Sequence, residues 1–185
     1  MVLITLAGLH GVGKTTAVNN YVPSKLLIKY LNTDVIPIDG VGFRQQMIRL
    51  GYMSQIFSML PVGFDVIIDR SPGDFIGYNL AVLSSQEERD VAGVYTDHLL
   101  NWYSKLNMEK VNLLVFDDLE SIWNRIVQRN QNRWNELDRK YVEYMYDFFY
   151  SEDGKKYKML TGISSTFVHV DDLEKIFDEI LHEKT

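Results

Sequence analysis

Cysteine is absent from the 185 residues, which excludes disulfides, thiolate nucleophiles and cysteine-ligated zinc. Histidine is scarce: His10, His98, His169 and His182 lie far apart, a poor starting point for a transition-metal site. The four prolines, Pro23, Pro37, Pro61 and Pro72, are dispersed. No linker rich in Pro, Gly or Ser, no repeat and no low-complexity tract interrupts the chain, so a single domain over residues 1–185 is expected. No apolar run reaches the ~18 residues that a membrane span needs, and the apolar N-terminus has no charged n-region or cleavage signal. A cytoplasmic protein without a membrane partner is therefore expected. An excess of positive charge is missing too: the formal net charge is -6 and the pI is about 5.2, leaving no basic field for a nucleic-acid polymer. Mononucleotides remain compatible with that balance, because their phosphates need only a few local cations.

What is present is sharper. Residues 8 to 15 read GLHGVGKT, and Gly8, Gly13, Lys14 and Thr15 fill every fixed position of the phosphate-loop pattern G-x-x-x-x-G-K-[ST]. The context agrees with the pattern. Val2 to Ala7 is a short apolar, β-branched run suited to a buried parallel strand, and Thr15-Thr16-Ala17-Val18 opens a helix. Glycines allow a tight turn in which successive amides point at an anion. Gly8, Gly11, Val12, Gly13, Lys14, Thr15 and Thr16 are thus the expected nucleotide-binding residues. Lys14 is expected to reach the β- and γ-phosphates and Thr15 to ligate Mg²⁺. His10 fills a variable slot and reads as a spacer.

Four further apolar runs read as parallel strands: Val35 to Asp39, Asp65 to Asp69, Asn112 to Asp117 and Thr166 to Asp171. Helical patterns separate them at residues 24 to 32, Phe43 to Leu50, Leu119 to Asn130, Glu136 to Tyr150 and Asp172 to His182. Another runs from the capping box Ser85-Gln86-Glu87-Glu88 to about Leu106. The alternation predicts an α/β three-layer phosphate-loop fold: a five-stranded parallel sheet with helices on both faces. Ligands of such a sheet sit outside the carboxyl ends of the strands, so residues there matter most. Asp69 ends one strand, in position to face Mg²⁺ beside the loop. Arg70 follows and can clamp a phosphate or hold an acceptor in line.

At this point the chain resembles the thymidylate kinases and deoxynucleoside kinases, which share one phosphate-loop kinase fold. The resemblance rests on GLHGVGKTT, on DRSPGDFIGYNLA after the third strand, on LLVFDDLESIWNRIVQRNQNRWNELDRKYVEYMYDFFY and on FVHVDDLEKIFDEI. Asp69-Arg70-Ser71 matches the family's acid-arginine segment. Arg125, Arg129 and Arg133 recur every four residues, along one helix face. In the resembling kinases the corresponding region, about 125–140 here, is a lid whose cations neutralise the transferred phosphoryl group. Arg129 and Arg133 are the expected lid cations, and Arg125 the one most suited to a structural role. The resemblance also implies a carboxylate at the end of the second strand that accepts the sugar-hydroxyl proton, a place given to Asp39. Thymidylate kinases usually carry an arginine before that acid, whereas this chain has Ile38. Arg44, Arg49 or Arg70 would then have to replace it for a monophosphate acceptor.

Residues of about 40–64 are expected to build the acceptor pocket. Phe43, Arg49, Arg70 and Asp74 are its candidate substrate contacts, and Gln45 or Gln55 its candidate base readers. The Tyr/Phe cluster 141 to 150 reads as core. The resulting expectation is an ATP- and Mg²⁺-dependent kinase acting on a nucleoside or nucleoside monophosphate, thymidylate kinase-like. Lys14, Asp39, Arg70, Arg129 and Arg133 carry the chemistry in that reading, and the long helices offer a homodimer face. A kinase of another small hydroxylated acceptor and a non-catalytic ATP-binding protein are the alternatives. A GTP switch is disfavoured, since no N-K-x-D guanine motif occurs.

Overall fold

Every residue of Val2–Ala7 is buried, as a strand covered on both faces must be. This strand, β1, is the centre of the molecule. The computed structural model describes residues 1–23, 27–30, 42–61, 63–129 and 137–182. Along these the order is β1, α1 (Lys14–Asn20), β2 (Leu27–Tyr30), α2 (Phe43–Ser58), β3 (Asp65–Ile68), α3 (Asp74–Val82), α4 (Gln86–Lys105) and β4 (Glu109–Phe116). There follow α5 (Leu119–Arg129), α6 (Arg139–Tyr150), α7 (Lys155–Thr161), β5 (Thr166–His169), a 3₁₀ turn (Val170–Asp172) and α8 (Leu173–His182).

The five strands form one parallel sheet in the order β2-β3-β1-β4-β5. Leu3 pairs with Val66 on one side of β1, and Ala7 pairs with Leu114 on the other. The crossover from β1 to β2 runs opposite in direction to those from β2 to β3, β3 to β4 and β4 to β5. Right-handed connections therefore place α1 on one face and the helices of the later crossovers on the other. The packing agrees: α1 lies against α8, while α4 touches α2 and α3, and α3 touches α6.

The core is built where apolar side chains from both layers meet the sheet. Leu3, Ile4, Leu6, Ile67 and Val115 are completely buried, as are Phe149, Tyr157 and Phe177. Each such aliphatic contributes about 1.5–3 kcal/mol of burial energy. One polar strand position is satisfied internally. The Thr5 hydroxyl donates to Asn112 Oδ1 at 2.7 Å, and Asn112 Nδ2 donates to Ser165 Oγ at 2.7 Å. The expected capping box is in place at the start of α4, where Glu88 N donates to Ser85 Oγ at 3.1 Å and Ser85 N donates to the Glu88 carboxylate at 3.4 Å.

Several expectations need correction. Residues 27 to 30, expected within a helix, form β2 and pair with β3, with Tyr30 opposite Ile68. Four half-buried residues satisfy either period, and pairing to an open sheet edge decides the matter. The strand beside β3 is Leu27–Tyr30; the run Val35 to Asp39 lies outside the described residues. α2 continues past Leu50 to Ser58, carrying Gly51 within it. α7, which was not expected, stands between α6 and β5. No helix among the described residues is long and apolar enough to cross a membrane.

Candidate functional site

The phosphate loop leaves the end of β1 and is held from three sides. Gly8 has φ +135°, and a Cβ there would lie 2.5 Å from the Val115 carbonyl oxygen. Gly13 has φ +110°, and its Cβ would meet Val170 Cγ2 at 2.8 Å. Both positions demand a residue without a side chain. The Leu9 amide donates to the Tyr150 hydroxyl at 2.9 Å, and that hydroxyl donates on to the Val115 carbonyl at 2.8 Å. Arg125 Nε donates to the Gly11 carbonyl at 2.8 Å, while its Nη2 donates to Asp117 Oδ2 at 2.5 Å. Arg125 thus links loop and β4 end, in keeping with its structural reading. Val12 is buried and Thr16 exposed. Lys14 is buried, its Nζ donating to the carbonyl oxygens of Gly8 at 2.6 Å and Leu9 at 3.0 Å.

The end of β3 comes directly to this loop. Thr15 Oγ1 donates to Asp69 Oδ2 at 2.5 Å. These two hard oxygen donors fit Mg²⁺, which takes one or two protein oxygens and fills its remaining positions with phosphate and water. Arg70 is enclosed by three partners. Its Nη1 donates to the Tyr78 hydroxyl at 2.8 Å and lies 3.7 Å from Asp74 Oδ2. Its Nη2 lies 3.0 Å from His10 Nδ1, and the guanidinium sits 5.3 Å from the Tyr78 ring centroid.

Asp74, at the start of α3, is 1% exposed. Tyr157 from α7 donates its hydroxyl to Ser71 Oγ at 2.8 Å and comes within 3.5 Å of Asp74 Oδ1. Burial pushes the Asp74 carboxyl up to about 7, against the opposing pull of Lys14 and Arg70. Burial also holds His10 well below the usual histidine value, reinforced by Arg70, Lys14, Arg129 and Arg49. Four cations therefore converge on one corner of the loop.

The expected acceptor residues divide. Arg49 is buried on α2, Phe43 is half-buried at its start, and Arg44 is exposed. Of the candidate base readers, Gln45 is half-buried and Gln55 exposed, while Phe57 of the same helix packs in the core against Tyr103. Gln46 is the buried amide of α2: its Nε2 donates to Asn79 Oδ1 at 2.8 Å, and Asn79 Nδ2 donates to Thr96 Oγ1 at 3.0 Å. Arg129 is exposed at the end of α5, one turn after Arg125. Asp39 and Arg133 lie outside the described residues. From sequence, Tyr150 reads as core and His10 as a loop spacer, and neither is expected to hold a neighbour of the site. A tyrosine closing the buried run Phe148-Phe149 was one usable signal, since a buried hydroxyl needs a partner. Nothing local marks His10.

Solved structures share this fold. The chain superimposes on deoxyadenosine kinase from M. mycoides, determined with the products dCMP and a flexible dCDP bound, with a TM-score of 0.58 and 15% identity over 98% of this chain and 97% of that one. It superimposes on thymidylate kinase from Candida albicans with a TM-score of 0.56 and 19% identity, over 98% of this chain and 91% of that one. No family model matches the sequence, and no curated protein matches it. The fold, a five-stranded parallel sheet with helices on both faces, is shared with these two structures.

Proposed function

We propose that the protein transfers the γ-phosphoryl group of ATP to a nucleoside or, in preference, a nucleoside monophosphate, in the manner of a thymidylate kinase. The observation that carries this reading is the contact of Thr15 with Asp69 at 2.5 Å beside Lys14, with Arg70 the next residue along the chain. It joins a donor loop and an acceptor-side cation across two neighbouring strands.

The loop amides and Lys14 hold the donor phosphates. Lys14 exchanges the Gly8 and Leu9 carbonyls for phosphate oxygens when the donor arrives. Thr15 and Asp69 would hold the Mg²⁺ that accompanies ATP, and that ion would supply neutralisation of the β- and γ-phosphate charge. Arg70 stabilises the charge of the phosphoryl group in transfer, with Arg129 and Arg133 closing over the donor. Asp39 positions or deprotonates the acceptor. Little covalent work falls to the protein, and the rate comes from alignment and charge stabilisation.

A monophosphate is favoured because the acceptor side concentrates cations that have little solvent. Arg49 is 9% exposed, and the Arg70 side chain 12%. Buried guanidinium groups match an anionic ligand better than a neutral one. A structural neighbour was found with dCMP bound as a product, the compound that transfer to a deoxynucleoside yields, and this keeps the nucleoside in the proposal.

The test is incubation with Mg²⁺ and γ-labelled ATP against a panel of nucleosides, nucleoside monophosphates and other small hydroxylated compounds. Label on a nucleoside monophosphate supports the proposal, and label on a nucleoside alone reverses the stated preference. ATP bound without label on any compound would sink the kinase reading in favour of a non-catalytic binding protein.

A further inference from the structure

His10 occupies a loop position that the phosphate-binding pattern leaves open, yet it is only 7% exposed. A guanidinium has donors and no acceptor. The 3.0 Å contact between Arg70 Nη2 and His10 Nδ1 therefore requires Nδ1 to accept, which puts the imidazole proton on Nε2. The ring lies 4.8 Å from that of Tyr78, whose hydroxyl accepts from the other arm of Arg70. Loop, imidazole, guanidinium and α3 thus form one continuous contact.

We propose that His10 is a positioning residue, a neutral imidazole strap that fixes Arg70 to the phosphate loop and so sets the acceptor-side cation from the donor side. Its kinetic consequence rests on the kinase reading, while the strap itself does not. A carboxylate at this position would hold Arg70 equally well but cancel its charge. A neutral acceptor orients the guanidinium and leaves the charge available for a phosphate.

Protonation would destroy the strap, because an imidazolium has no lone pair on Nδ1 and would set two cations side by side. The groups bearing on the ring come from every neighbouring element: Lys14 from α1, Arg49 from α2, Arg70 after β3 and Arg129 from α5, with Tyr78 of α3 against its face. All four charged groups are cations, and together with burial they keep the ring neutral. Asp69 and Asp74 bear on Arg70 from the other side.

The experiment is ¹⁵N NMR of the histidine side chains in the full-length protein, with the His10 signals assigned by their loss in His10→Asn. The expected result is the Nε2-H tautomer, with the ring staying neutral through the ordinary histidine range and a titration that moves upward in Arg70→Gln. A His10 ring that titrates near the ordinary value, or carries its proton on Nδ1, overturns the proposal. The kinetic arm compares His10→Leu with His10→Asn, which restores an acceptor oxygen. His10→Leu should have an acceptor KM about tenfold or more above that of His10→Asn, the loss expected for a hydrogen bond to a charged group, with similar KM for ATP. Equal acceptor KM in the two variants contradicts the proposal. If the wild type phosphorylates no acceptor, the kinase reading falls and the NMR result still decides the strap.

Discussion

Replacing Asp74 by asparagine should stabilise the protein progressively as pH rises from about 4 to about 7, which inverts the usual consequence of removing an ion-paired carboxylate. Asp74 is 1% exposed and lies 3.7 Å from Arg70, yet its carboxyl titrates at about 7 because burial outweighs the cations. In the unfolded chain the same group titrates near ~3.9. Between those values the folded state binds a proton that the unfolded state has released, so the group's contribution to stability is complete below about pH 4 and is lost as pH rises through about 7. A separation of about three pK units at 1.36 kcal/mol each gives roughly 4 kcal/mol. That is a large share of the ~5–15 kcal/mol by which domains are stable. Asparagine keeps the shape and is neutral at every pH, so it escapes the loss.

Urea denaturation of wild type and Asp74→Asn at several pH values measures the effect directly. The stability difference should grow in the variant's favour by up to about 1.4 kcal/mol per pH unit and level off above about pH 7. A difference that stays constant across this range, or that turns against the variant as pH rises, would refute the assignment of a protonated buried acid.

Three other outcomes follow from the same geometry. Tyr150→Phe removes the partner of both the Leu9 amide and the Val115 carbonyl, so urea denaturation should show a loss of about 1–3 kcal/mol, and calorimetric titration should show weaker ATP binding. Unchanged ATP affinity would mean that Tyr150 supports the core and not the loop. Lys14→Ala should keep the circular dichroism of the wild type and lose turnover, and near-normal turnover would move the donor site elsewhere. Asp39→Asn should lower kcat far more than it weakens ATP binding, whereas an unchanged rate would shift the acceptor role to another residue between β2 and α2.

The legibility of the site in sequence followed the range of the interactions involved. The loop, the Asp69-Arg70 pair and the capping box of α4 are encoded within a few residues, and each was readable in place. β2 was not, because Leu27–Tyr30 becomes a strand only by pairing with β3, whose residues are distant in sequence. The Tyr150 hydroxyl reaches Leu9 across 141 positions, and Arg70 reaches His10 across 60. No local pattern records such contacts. Gln46 illustrates the same limit from another side: as one of two adjacent glutamines on α2, it is distinguished only by the Asn79 and Thr96 side chains that α3 and α4 bring to it.

The stoichiometry of phosphate transfer, followed by ³¹P NMR with Mg-ATP and the best acceptor, tests the central claim that donor loop and acceptor-side arginine form one two-substrate site. The account predicts one phosphorylated acceptor for each ADP formed, with little inorganic phosphate. ADP and inorganic phosphate appearing together while the acceptor stays unmodified, or ATP remaining intact, would contradict it.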